Sequence, residues 1–164
     1  MANFEELARI AREKSNGIVA AADHARKVKE EAEANRLENA ERVLHEHVVP
    51  ILNQAKEAFA ADGIKVNIEE AESFKIEPGR LGNSIKIRIV TFHCFSRLEG
   101  HPSGMQSVMG AKYVFEHDGT TITTKRYGAS ISDKTFQGGT FPDFVAPIVM
   151  EALDSYYEQK RIRG

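Results

Sequence analysis

Residues 1–61 read as helix, residues 63–129 as strands joined by turns, and residues 141–161 as one closing helix. Helices segregated from a run of antiparallel strands make this a single α+β domain spanning 1–164. Three observations carry that reading. The first 61 residues hold only Gly17 and Pro50 as helix breakers, and their apolar residues recur at spacings of three and four. From Ile64 onward the period changes to two. Asp118-Gly119 then stands between two alternating runs, the strongest short hairpin signal in the chain. The expected architecture is a long N-terminal helical arm (one kinked helix or two), an antiparallel sheet of about four strands, and a C-terminal helix packed on that sheet.

The arm opens at Asn3, with Glu6 three residues on in the manner of a capping box. Phe4, Leu7, Ala11, Ile18, Ala21, Ala25, Val28 and Ala32 follow a seven-residue repeat interrupted at Lys14. Such a stripe buries itself against a partner helix or a sheet. Ser15-Asn16-Gly17 offers a stop, since Asn and Gly tolerate a left-handed C-cap. A second stripe, Leu37, Leu44, Val48, Ile51, Ala55 and Ala58, starts in another phase, which predicts a bend or helical hairpin around Asn35–Asn39. Pro50 lacks an N–H and crowds the carbonyl four residues back, so the helix is expected to kink or restart near Glu46–Val49. Asp62-Gly63 ends the arm. Two packings are open for the first stripe: the protein's own sheet, or another subunit of a closed symmetric oligomer.

Ile64, Val66 and Ile68 alternate with polar residues, as a half-buried strand does. After the breaks at Pro78-Gly79 and Leu81-Gly82, Ile85, Ile87 and Ile89 alternate with Lys86 and Arg88, and from Val90 to Phe95 both faces turn apolar. That strand is expected to be central. A third strand runs from Val108 to Glu116, and Thr120–Tyr127 returns from the hairpin. A two-residue turn would set Phe115 against Ile122, Tyr113 against Thr124 and Lys112 against Lys125. With strands two and three adjacent, Lys86, Arg88, Lys112 and Lys125 would form one basic strip. A water-facing outer surface accounts for such a strip. The alternative, a platform for anions or single-stranded nucleic acid, lacks interleaved aromatic stackers apart from Tyr127.

At 164 residues, 41% hydrophobic and 28% charged, the chain suits a globular domain with its own core. Its net charge of −2 is evenly spread: nine Lys/Arg against eleven Asp/Glu in 1–61, and thirteen of each in 62–164. Neither part has the basic excess that duplex nucleic acid or an anionic membrane selects. A single cysteine, Cys94, fits a reducing compartment. The acidic start lacks the plan of a signal peptide, and no apolar run approaches membrane-spanning length. A soluble, cytoplasmic protein is expected.

Candidate chemistry is sparse. His45 and His47 splay apart on a helix and cannot share a metal unless the helix opens before Pro50. His93 and Cys94 point to opposite faces of a strand, and His117, beside the hairpin, is expected to be solvated. Neither Cys-x-x-Cys nor His-Glu-x-x-His spacing occurs, so no metal and no cofactor is expected. Cys94, between apolar neighbours, reads as a small buried hydrophobe, and His93 as a structural histidine on the packed face. Gln137-Gly138-Gly139-Thr140 feeds the last helix, but Thr140 and Asp143 form a cap that takes up the free N–H groups an anion would need. The loops Ser96–Ser107 and Ser130–Phe141 are long and bear glycine; if they meet, His93, Arg97, His101, Asp133 and Lys134 would line a small-molecule pocket.

Three functions follow from these readings. The first is a non-enzymatic module whose arm, through Phe4 to Ala32, binds a copy of itself or another protein. The second is a small-molecule-binding protein or enzyme using the loops 96–107 and 130–141. The third is a weak nucleic-acid binder through the basic strip.

Overall fold

The computed structural model describes residues 3–77, 79, 82–97, 106–127 and 133–163. The chain divides into two compact units, Met1–Arg36 and Leu37–Gly164. The first unit is helical from Phe4 onward, as part of α1, Phe4–Val43. Asn3 Oδ1 accepts the Glu6 backbone N–H at 3.3 Å, the expected N-cap. Arg9 reaches both Glu6 and Glu13, and Arg26 both Asp23 and Glu30, pairs one turn apart that support a solvated helix. Ser15-Asn16-Gly17 does not stop it. The helical hairpin expected at Asn35–Asn39 is absent as well, α1 being assigned as one helix through those residues. Nothing there lacks an N–H or needs a positive φ, so the hydrogen-bond ladder runs on and only the facing of the stripe changes.

In the second unit, Leu44–Val48 widen into a π-helical turn in which the Val49 N–H donates to the Leu44 carbonyl. Pro50 accounts for it: a wider turn removes the clash and the missing donor that an α-helix would meet there. α2, Val49–Ala60, follows. It ends in a Schellman-type turn, with Ile64 N–H donating to Phe59 O at 3.1 Å across Gly63, whose φ of 75° is one that glycine adopts without strain. The strands are β1 (Lys65–Ile76), β2 (Ser84–Arg97), β3 (Gln106–His117), β4 (Ile122–Tyr127) and the two-residue β5 (Lys134–Thr135). Among the described residues they form one antiparallel sheet in chain order, the expected four strands with the short β5 added at one side, β1 on an edge and β2 inside.

α2 and α3 (Phe141–Arg163) pack on one face of this sheet. Leu44, Val48 and Leu52 meet Val90, Phe92, Cys94, Phe115, Ile148 and Tyr156 in the core. The helix-facing residues of β2 are therefore the even ones. Ile85, Ile87, Ile89 and His93, whose parity suggested the packed face, lie on the opposite face, where Ile87, Thr91 and Val114 are buried among sheet neighbours. Both faces of β2 are covered, so its apolar pattern did not distinguish them.

Two details set the registers. Opposite Cys94, β3 carries two residues, Gly110 and Ala111, in a bulge. The Ala111 N–H that the bulge frees donates to Ser155 Oγ at 2.9 Å, and the Gly110 carbonyl accepts from His93 Nε2 at 3.1 Å. A Cβ on Gly110 would stand 3.2 Å from the Tyr156 backbone, so glycine lets α3 approach. At the hairpin, Asp118 Oδ1 accepts from the N–H groups of Thr120 and Thr121, which closes a four-residue turn. The register consequently differs by two from that of a two-residue turn. Phe115 faces Thr124, Tyr113 faces Arg126, and Lys112 faces Tyr127. Among the described residues no helix is long and apolar enough to cross a membrane.

Candidate functional site

The residues expected to line a loop pocket are dispersed. His93 lies half-buried on β2, on the face away from the helices, tied to the Gly110 carbonyl and stacked on Phe95 at 5.8 Å. Lys134 lies on β5, three strands across, on the helix-facing side, where its ammonium pairs with Glu151. Asp133 beside it is exposed. Arg97 ends β2 opposite Gln106, and His101 lies outside the described residues, as do 98–105 of the first loop and 130–132 of the second.

The basic strip is also divided, a correction that follows from the observed registers. Arg88 pairs with His117 and so shares the helix-facing side with Lys86, while Lys112 and Lys125 lie on the opposite side. Each observed contact draws charge away from a common surface. Arg88 binds Glu41 at 2.9 Å, Lys125 binds Glu116 at 3.4 Å, and Lys112 sits 5.7 Å from the Tyr127 ring centroid. The two lysines expected to oppose one another do not face each other.

The histidines take structural positions. His45 Nδ1 meets Glu70 Oε1 at 2.8 Å, and His47 stacks on Phe141 at 4.7 Å, so the π-helical turn sends them to different partners. His117, expected in solvent, is buried: its Nδ1 accepts the Gly119 N–H at 2.8 Å. Burial lowers the pKa of His117 against the opposing pull of Asp118. Burial likewise lowers that of His93, opposed by its bond to Gly110 and helped by Lys112. Cys94 is fully buried, and burial pushes its thiol up to about 12, far from a nucleophile's range. Among the described residues no cluster of three or more His, Cys, Asp or Glu has metal-binding geometry. Before α3, Thr140 Oγ1 accepts the Asp143 N–H at 3.3 Å, the cap expected there.

Among the described residues of the second unit, two hollows stand out that the sequence did not suggest. One, about 630 Å³, lies between the end of α1, the π-helical turn and the sheet, where Glu38, Glu41, Glu46 and Glu70 meet Arg42 and Arg88. Its charges largely answer one another through the Glu41–Arg88 and His45–Glu70 contacts. The other, about 430 Å³, lies between the end of α2 and the start of β1, and is walled by Ala60, Ile64, Val66 and Phe95 with Lys56 and Lys65 around them. Both join residues distant in sequence, so no local spacing announced either. Compared with known proteins, the chain matches no family, no curated protein and no solved structure.

Proposed function

We propose that this protein is an interaction module that pairs with a second copy of itself through its helical arm, in a reducing, cytoplasmic setting. One observation carries the reading: every described residue from Asn3 to Asn35 is exposed, Phe4 at 78% and Ile18 at 62%, with Leu7, Ile10, Val19 and Val28 close behind. A helix that keeps so long an apolar stripe in water gains by covering it. The distribution of side chains along the stripe favours a copy of the same helix, running antiparallel. The register that sets Ile18 against Ala21 also sets Leu7 against Ala32, Val28 against Ala11 and Lys14 against Ala25. Leu7, Ile18 and Val28 then each meet an alanine, which lets two helices approach closely, and Phe4 lies at the end of the pairing against Asn35, whereas a parallel pair in register would set Lys14 against Lys14. Closure by a two-fold axis ends the assembly at a dimer. Cys94, free and buried, agrees with a reducing compartment.

Light scattering tests this. Wild type is expected to be a dimer, and Ile18→Glu combined with Val28→Glu a monomer, because charges placed in a seam without partners cost several kcal/mol, roughly. A wild type that stays monomeric at every concentration would overturn the reading.

A further inference from the structure

The hollow between α2 and β1 differs from the larger one in the sign and state of its charges. Its apolar lining comes from both sides of the start of the edge strand: Ile64 and Val66, buried toward the helices, and Phe95, half-buried on the other side beside Lys65. Its polar groups are two ammonium groups, those of Lys56 on the exposed side of α2 and Lys65 at the start of the edge strand, and among the described residues no acidic one lines it. Lys75, Lys125 and Lys134 each have a carboxylate partner; Lys56 and Lys65 have none among the described residues. Long lysine stems lie readily along apolar surface and leave the charge at its margin. The volume, about 430 Å³, falls in the range of small-ligand sites, which combine an apolar wall with a few oriented polar groups.

We propose that this hollow binds a small amphipathic carboxylate, with its apolar chain on Ile64, Val66 and Phe95 and its carboxylate between Lys56 and Lys65. Both halves of that ligand are required by the lining. A hydrophilic anion finds no use for the apolar residues, and an apolar amine meets two like charges. A neutral apolar molecule leaves the ammonium groups unanswered. The site is independent of the arm and asks nothing of the dimer.

Calorimetric titration of the full chain with decanoate, below its micelle concentration, tests the proposal, with acetate and decylamine as controls. Saturable one-to-one binding of decanoate is expected, with acetate and decylamine at least tenfold weaker. Lys56→Glu with Lys65→Glu, both at exposed positions, should weaken decanoate at least tenfold and bring decylamine up. Phe95→Ala should weaken both long-chain probes, and circular dichroism should show each variant folded. Absence of saturable decanoate binding, equal binding of acetate, or an affinity unchanged by charge reversal would each overturn the proposal.

Discussion

At the scale of single residues, the bulge on β3 shows how a local irregularity is held. Its freed N–H is taken by Ser155 and its carbonyl by His93, and Gly110 gives α3 the room to approach. Gly110→Ala puts a methyl group 3.2 Å from backbone that cannot easily shift, so urea denaturation is expected to show a loss of about 1–3 kcal/mol. Ser155→Ala removes the partner of the half-buried Ala111 N–H and should cost about 1 kcal/mol. The two buried histidines give stability a pH dependence whose sign follows from their lowered pKa values. Below 6.5 the unfolded chain takes up protons that folded His93 and His117 resist, so their contribution is full above 6.5 and is lost as pH falls through their folded values. Asp118 adds nothing in that window. Burial would raise its pKa, but the N–H groups of Thr121 and Thr120 and the charge of Lys75 hold it below 3.8, so its contribution fades only below that value. Denaturant midpoints measured on both sides of 6.5 should fall on the acid side, and His93→Gln with His117→Gln should flatten the curve. Cys94 should resist thiol reagents until the protein unfolds.

Among the elements, strands and turns were legible where one residue type leaves the backbone little choice. Gly63 and Asp62 mark the end of α2, Asn3 and Thr140 mark helix starts, and the alternation from Ile64 marks β1. What escaped was pairing, because pairing is decided by contacts between distant residues. Asp118-Gly119 announces a hairpin, but the Asp118 carboxylate captures two N–H groups and lengthens the turn, which slides β4 by two residues and sends Lys112 to Tyr127. β2 is apolar on both sides, so alternation points to its isoleucines for the helix-packed face when Val90, Phe92 and Cys94 hold it. The two hollows rest on still longer separations, His45 to Glu70 and Lys56 to Phe95. The orientation of paired arms is a property of the same scale. In the antiparallel register a spin label at Glu5→Cys lies opposite Ala34, 29 residues away, so two labels stand about 40 Å apart at 1.5 Å per residue. A parallel pair would bring them within roughly 20 Å, two neighbouring helix axes being 8–10 Å apart. Buried Cys94 leaves the label specific. A short distance in a proven dimer would reject the antiparallel register and leave the dimer standing.

For the whole molecule, the division into two units separates stability from association. Every residue of the hydrophobic core, from Val43 to Tyr156, belongs to Leu37–Gly164, and Ala40, also buried, lies there too. That unit holds the sheet, both packing helices and the two hollows. A domain of this size with a continuous core is large enough to fold by itself. The arm, by contrast, is a helix whose described residues from Asn3 to Asn35 are all exposed, and isolated helices are marginal in water without packing. A chain beginning at Leu37 should therefore unfold in one cooperative transition, with a melting temperature close to that of the Ile18→Glu, Val28→Glu monomer. It should sediment as a monomer, show the helical signal reduced by the missing arm, and bind decanoate as the full chain does. The full dimer should melt higher as its concentration rises, because association adds to the stability of the paired state. If the shortened chain still dimerises, the interface lies on the sheet-bearing unit, and the exposed edge strand β1 becomes the first surface to test.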